Sequence, residues 1–339
     1  MQPEKTSAAA LEELKIARRL VADLLRPRPA RYWADLLIGA ATGWGALAVA
    51  SVTTSVPLAI TAGAVSAFSL YRIFIFIHEL THISTREIPG FRTAWNLLVG
   101  VPMVLPSIFY EGAHLAHHRN GTYGTGNDPE YLPFSGRLSL VTGFLLSALV
   151  SPPVLLFRFL VLAPLAWAMA PLRRWVDTRA STYTINPWFM RTPSAADLRQ
   201  LRIWEAAVML FWGAAAWALA TGVLPLRVFF TWLAVYTTLA MVNQFRVLLA
   251  HRYELDGEPT DRVGQLRDSI DHPGGFWTEL WAPMGLRYHA LHHLFPTLPY
   301  HNMGAAYRRL VAGLPEDGVY REIQSPGGTQ LWRELARGR

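Results

Sequence analysis

Eight of the eleven histidines in this 339-residue chain fall in three short clusters: His78 and His82; His114, His117 and His118; His289, His292 and His293. Residues three and four apart share one face of a helix, so each cluster aims its imidazoles in one direction. Imidazole is a ready nitrogen ligand for iron, copper and zinc, and eight converging on a single ion would overfill it, which points to two metal ions. One HxxxH pair alone carries little weight, because a helical histidine is often only a hydrogen-bonded polar residue. Three clusters in a chain with only three other histidines are a different matter. Any fold for this chain must bring three distant stretches to one place.

Composition says where that place lies. The chain is 52% hydrophobic and only 16% charged, well under the ~25% charged fraction of soluble domains, and its apolar runs reach the ~20 residues that cross a bilayer. Residues 34–56 and 58–77 form one such pair, with Thr53, Thr54, Ser55 and Pro57 marking the turn; residues 203–222 and 226–250 form another around Pro225. Arginines at the ends of the runs (Arg26, Arg28, Arg31, Arg173, Arg174) account for much of the net charge of +7. That is a positive-inside pattern, which makes the arginine-rich side cytoplasmic. It is not a nucleic-acid footprint, since the aromatic residues lie in or beside the apolar runs. The absence of cysteine excludes disulfides and thiolate ligands, so any metal is held by nitrogen and oxygen, and an iron–sulfur centre feeding electrons to it must belong to a partner.

Residues 6–25 read as a basic amphipathic helix, on a membrane surface or in solvent, stopped by Arg-Pro-Arg-Pro at 26–29. This stretch is not expected to be a signal peptide, because the short apolar core and small-residue cleavage site are missing. The run at 91–110 is interrupted by Gly100, Pro102 and Pro106. If the clusters meet, His82 and His114 lie on one side of the membrane, so this run is expected to be a bent re-entrant hairpin buried against other helices. Asn96 within it is either a buried hydrogen-bonding residue or a partner of the histidine site. Residues 119–131 read as a loop. The same parity argument makes 138–170, with Pro152, Pro153, Pro164 and a central Arg158, a broken interfacial or re-entrant pair. Residues 171–202 form an arginine-rich connection.

The expected architecture is an all-α integral membrane protein. It has about four transmembrane helices in two hairpins, re-entrant and interfacial helices, and a cytoplasmic helical cap that holds the site. Its expected organisation is an N-terminal segment at 1–33, a membrane domain at 34–312 and a tail at 313–339. A transporter would bury ionisable residues at mid-membrane and often repeat its halves; neither pattern is present.

The clusters sit just past the ends of apolar runs, at the boundary between membrane and cytoplasm. A site there suits a long apolar substrate with a polar head. Several imidazoles per ion fit oxygen-activating iron better than magnesium or calcium, which want oxygen ligands, or zinc, which needs only three or four. The order HxxxH, HxxHH, HxxHH between two apolar hairpins resembles the membrane fatty acid desaturase superfamily over about residues 34–312. The segments 126–131 (GNDPEY), 243–253 (NQFRVLLAHRY) and 289–302 (HALHHLFPTLPYHN) strengthen the likeness.

The resemblance implies a four-span helical fold with a cytoplasmic di-iron cap and oxygen-dependent desaturation of an acyl chain carried on a lipid, CoA or acyl-carrier protein. The alternative on the same centre is a hydroxylase or ketolase of a carotenoid, alkane or other lipid. The resemblance makes the eight cluster histidines iron ligands and His251, at the end of the last apolar run, a ninth. O2 is the co-substrate, with electrons from an external ferredoxin, rubredoxin or cytochrome b5. In some animal acyl-CoA relatives an asparagine four residues before that histidine meets iron through water; here Val247 stands there, so the contact is absent or made by another residue such as Asn243. Candidates to orient imidazoles by accepting their second N–H are Glu79, Glu111, Asp128, Asp268 and Asp271. His301 is near enough in sequence to the third cluster to support it, and His272 reads as a loop residue.

Overall fold

The computed structural model of the protein describes residues 8–337 except 256 and 326, with backbone alone at 328 and 329. The start of the expected helix at 6–25 lies outside the described residues. Helices and irregular connections make up the rest, and the described residues contain isolated β-bridges but no strand.

After α1 (Ala8–Val21), the first hairpin is built from α2 (Pro29–Val52) and α3 (Val56–Phe74), extended past a one-residue break by α4 (Phe76–His82). Pro29 occupies the first turn of α2, where its missing N–H costs nothing, and Ser55 Oγ caps α3 by accepting from Leu58 N. Two glycines set how closely the pair packs. A Cβ on Gly39 would come within 2.2 Å of Ile73, and one on Gly43 within 2.6 Å of Leu70, so both positions need the bare backbone.

The expected re-entrant hairpin is present. It comprises α5 (Phe91–Trp95), a π-helical turn (Asn96–Gly100), an irregular tip and α6 (Ile108–His117). Irregular backbone deep in a membrane protein must find internal hydrogen-bond donors, and here tryptophans supply them. The indoles of Trp44, Trp212 and Trp232 donate to Leu98 O (2.9 Å), Val101 O (3.1 Å) and Pro102 O (3.2 Å). Asn96 takes the first of its two expected roles. Wholly buried, it accepts from Ser107 N (2.7 Å) and donates to Ser107 Oγ (3.3 Å), latching the two limbs together without touching a histidine.

Residues 138–168 differ from expectation. In place of a broken pair there is one continuous helical run of 31 residues: α7 (Leu138–Phe157), a π-helical turn at Arg158–Leu162 and α8 (Ala163–Ala168). Pro152 and Pro153 fall inside α7, while the π-turn absorbs the missing hydrogen bond near Pro164. Its polar ties run to the histidine side of the bundle. Ser147 Oγ accepts from Gln244 Nε2 (2.8 Å), close to the histidine end of the last long helix. Arg158 and Trp167 both donate to Glu205 (2.6 and 2.5 Å), as does Arg173 (2.8 Å) on α9 (Ala170–Arg179). The following loop returns to the re-entrant limb through Tyr183 N to Phe109 O (2.6 Å) and Arg191 to Ile108 O (2.7 Å).

The second hairpin is α10 (Ala195–Ala220), opened by a Ser194–Asp197 capping box, and α11 (Leu226–Leu248). Large apolar side chains such as Val52, Leu210, Trp217 and Phe230 point outward, as a lipid-facing surface requires. Five helices are long and apolar enough to cross a membrane: the four hairpin helices and 138–168. The chain is an all-α integral membrane protein.

The cap follows: α12 (Arg262–Asp268), α13 (Phe276–Trp281), α14 (His289–Leu294), α15 (Tyr300–Gly313), α16 (Val319–Glu322) and α17 (Gly328–Arg337). Helix α1 lies against α15, and its buried Glu13 accepts from Val319 N (2.8 Å) and Tyr320 N (2.9 Å). The arginine-rich segment at 23–28 is tied to the cap as well, since Asp23 pairs with Arg309 and Arg28 N donates to His301 Nε2 (3.1 Å). The arginines of that segment and the third histidine cluster therefore occupy one side of the bundle.

Replacing Asn96 by Ala strands the buried Ser107 N–H. We expect Asn96→Ala to destabilise the folded protein by about 1–3 kcal/mol, read as a lower thermal midpoint in detergent. An unchanged midpoint would contradict the latch.

Candidate metal centre

Each histidine helix reaches the site by a different route. Helix α4 ends on His78 and His82, the last turn of α6 carries His114 and His117 with His118 at its cap, and α14 is a six-residue helix holding His289, His292 and His293. Their ring nitrogens gather in two adjoining sets. His78, His82, His114, His118 and His292 form one; His117, His251, His289 and His293 form the other. Within each set the candidate ligand atoms lie within 4.8 Å of one another. Each HxxHH cluster is divided between the sets: the i and i+4 histidines (114 and 118, 289 and 293) go to one, and the i+3 histidine (117, 292) goes to the other. His251 completes the second set.

The nitrogens face each other as ligands of a shared ion would. His114 Nε2 and His118 Nε2 are 3.1 Å apart, His118 and His292 3.0 Å, His251 and His289 2.9 Å, and His289 and His293 3.2 Å, all through Nε2. Two imidazole nitrogens each ~2.0–2.1 Å from one ion sit about 3 Å apart at a right angle. His78 Nε2 and His82 Nε2 are buried with no hydrogen-bond partner among the described residues. Convergent imidazoles with their lone pairs uncommitted fit a metal centre with an all-nitrogen donor set.

Behind this layer, acceptors fix the tautomers. His117 Nδ1 donates to the Asp128 carboxylate at 2.9 Å from both oxygens, and Asp128 is itself held by Gly124 N (2.8 Å) and Glu130 N (2.9 Å). His114 Nδ1 donates to Glu130 Oε2 (3.0 Å). His251 Nδ1 donates to Tyr123 OH (2.8 Å), which in turn donates to Asp268 Oδ2 (2.9 Å). In each case Nδ1 carries the proton and Nε2 is left for the site.

Burial, reinforced by the neighbouring imidazoles, pushes His118, His251, His289, His292 and His293 well below the ordinary histidine range, so their lone pairs are available at neutral pH. Burial also works against charge on His117, but the charge and hydrogen bonds of Asp128 outweigh it and raise that ring's affinity for a proton. Glu130 is lowered to about 2: burial opposes ionisation, and His114 beside it more than compensates.

Of the five acids expected to orient imidazoles, Asp128 does so directly and Asp268 through Tyr123. The other three are engaged elsewhere. Glu79 accepts from Tyr32 OH and Tyr300 N (3.1 Å), joining α4 to α2 and α15. Glu111 pairs with Arg92. Asp271 accepts from Leu291 N (3.1 Å) and Tyr320 OH (3.1 Å), so it holds the start of α14 in place of an imidazole. Glu130 is the orienting acid that sequence reasoning missed, although it lies in the 126–131 segment two residues from Asp128. His301 does not support the third cluster; it accepts from Arg28 N at the base of α2. His272 is a buried structural residue whose Nε2 donates to Leu249 O (2.7 Å).

Beside the first set lies a cavity of about 260 Å³. Phe74, Leu105, Phe144, Val247 and Leu286 give it an apolar wall; His78, Asn243, Gln244 and Arg246 reach it as well. Asn243 thus lines the cavity, as does Val247 beside it.

A family model described as fatty acid desaturase matches residues 54–324. The chain belongs to the fatty acid desaturase family. The chain is similar to a ceramide hydroxylase from Caulobacter vibrioides (strain NA1000 / CB15N), with 43% identity over 333 residues, 98% of this chain and 95% of that protein. The family and this relative make the protein an oxidoreductase of lipids. The divided histidine clusters are the residues on which a desaturase-family metal centre would be built.

The outer layer can be tested apart from the inner one. Asp128→Asn is expected to weaken metal retention by about 10–100-fold, measured as metal content after dialysis against graded chelator. Glu111→Gln, which disturbs the Arg92 pair and no imidazole hydrogen bond, retains wild-type metal. Equal loss in both variants would contradict the assignment of Asp128 as the orienting acid.

Proposed function

We propose that the protein is a di-iron lipid hydroxylase that inserts one oxygen atom into a C–H bond of a ceramide-like lipid. The observation that carries this reading is the ceramide hydroxylase relative, similar along 98% of this chain. The acyl desaturation expected first from sequence is the other outcome of the same centre. The hydroxylase alternative takes precedence here because the relative's name points to oxygen insertion.

In this proposal the nine histidines at 78, 82, 114, 117, 118, 251, 289, 292 and 293 hold two iron ions, five on one and four on the other. The iron pair supplies the oxidising power for C–H cleavage, using O2 and electrons from an external carrier of the ferredoxin, rubredoxin or cytochrome b5 kind. Asp128, Glu130 and the Tyr123–Asp268 pair keep the imidazoles aimed. The cavity beside His78 receives the reacting segment of the lipid, and its apolar wall excludes water from the oxidising site. At about 260 Å³ it is smaller than the ~300–1,000 Å³ of pockets that enclose a drug-sized ligand, so the long tails extend beyond it. The arginines that share the histidine side make that side cytoplasmic by the positive-inside rule, which gives a soluble electron carrier access.

The test is the mass of the product. Purified protein given a ceramide, O2 and a reducing system is expected to return the lipid with one added oxygen. Loss of two hydrogens would make the enzyme a desaturase, and an unchanged ceramide alongside an oxidised acyl thioester would contradict the substrate class.

A further inference from the structure

Gln244 lies on the cavity wall with an acceptor that no group among the described residues satisfies. Its side chain is 3% exposed, and its Oε1 is buried without a hydrogen-bond partner. The orientation of the amide is fixed by its neighbours. Ser147 spends its single hydroxyl hydrogen on Phe144 O (2.7 Å), so Ser147 Oγ can only accept, and Gln244 must present Nε2 to it (2.8 Å). The carbonyl end is therefore the one left over. Glu130 repeats the pattern on the same wall: Oε2 accepts from His114 and Tyr110, while Oε1 is buried and unpartnered.

Buried acceptors without donors are rare in folded proteins, and each calls for an explanation. A bare acyl methylene chain offers no donor, so a cavity built only for one would be lined with apolar groups at these places. A lipid whose polar segment bears N–H or O–H groups would satisfy what the protein leaves open. Arg246 in the same wall supplies cationic donors suited to a carbonyl oxygen, with its Nε turned toward Asn243 Oδ1 (3.3 Å).

We infer that Gln244 is a specificity-determining residue: its Oε1 accepts a hydrogen bond from an amide N–H or a hydroxyl on the substrate's polar segment. The inference rests on the reading of this cavity as the lipid site and adds how the lipid is selected. The same small cavity touches His78, so the donor and the carbon to be oxidised belong to one short stretch of the lipid. A site built to accept a hydrogen bond rejects an analogue that lacks the donor, because the acceptor is then buried unpaired.

The experiment is equilibrium binding to the metal-loaded protein in nanodiscs. The probes are a short-chain ceramide and the same lipid methylated in turn at the amide nitrogen and at each hydroxyl. Wild-type protein is expected to bind the parent about tenfold more tightly than at least one methylated lipid. Gln244→Leu is expected to bind the parent and that lipid equally, both at the weaker level. Gln244→Met serves as the second variant, and wild-type metal content identifies folded protein in either. No preference in the wild type, absence of binding included, overturns the inference; so does a preference that persists in both variants. Binding preference without oxygen insertion would overturn the hydroxylase reading and leave the role of Gln244 standing.

Discussion

Nine imidazoles can share one buried site only if most of them are uncharged and each aims a lone pair inward. That constraint governs much of the structure. Burial removes the proton from most of the rings, and the second ring nitrogen must then be given an acceptor so that the right tautomer persists. Asp128, Glu130 and Tyr123 with Asp268 meet that need at three rings on two different chain segments. The acids are deeply placed in their turn: Asp128 is held by two backbone N–H groups from its own loop. The short loop after the second cluster is thus as much a part of the site as the helices are.

A second demand comes from the membrane. Clusters on both sides of residues 91–110 can meet only if that stretch enters and leaves on one side, and the resulting irregular tip needs donors at depth. Three indoles from three different long helices provide them, and Asn96 ties the limbs. The tryptophans of α2, α10 and α11 therefore do more than fill volume. They fix the depth of the re-entrant limb, and with it the place where His114, His117 and His118 arrive.

These features were legible in sequence to different degrees, for physical reasons. Apolar runs and histidine spacing are local signals, so the hairpins, the three clusters and the re-entrant limb could be read from length and periodicity. His251 could be placed by its position at the end of a span. Residues 138–168 misled because three prolines suggest breaks, whereas a π-turn takes up one of them and the helix continues. The acids could not be sorted by spacing at all. Glu79 sits beside a ligand in sequence yet faces Tyr32 and Tyr300, while Glu130, sixteen residues from His114, is the group that touches it. Which acid meets which imidazole is set by contacts between distant segments, and local pattern carries no record of them. The choice between desaturation and hydroxylation is not written in local pattern either, since in the proposed function it turns on where a substrate carbon would rest in a cavity lined by residues of α3, α7 and α11 among others.

In the proposed function the divided clusters form two adjoining iron sites with nitrogen ligands. Iron K-edge X-ray absorption on protein from iron-replete cells, with the metal content of the same sample, addresses it most directly. The expected result is two irons per chain, a first shell of nitrogen at about 2.1 Å and a second iron visible as a scatterer beyond it. One metal per chain, or zinc in place of iron, would contradict it.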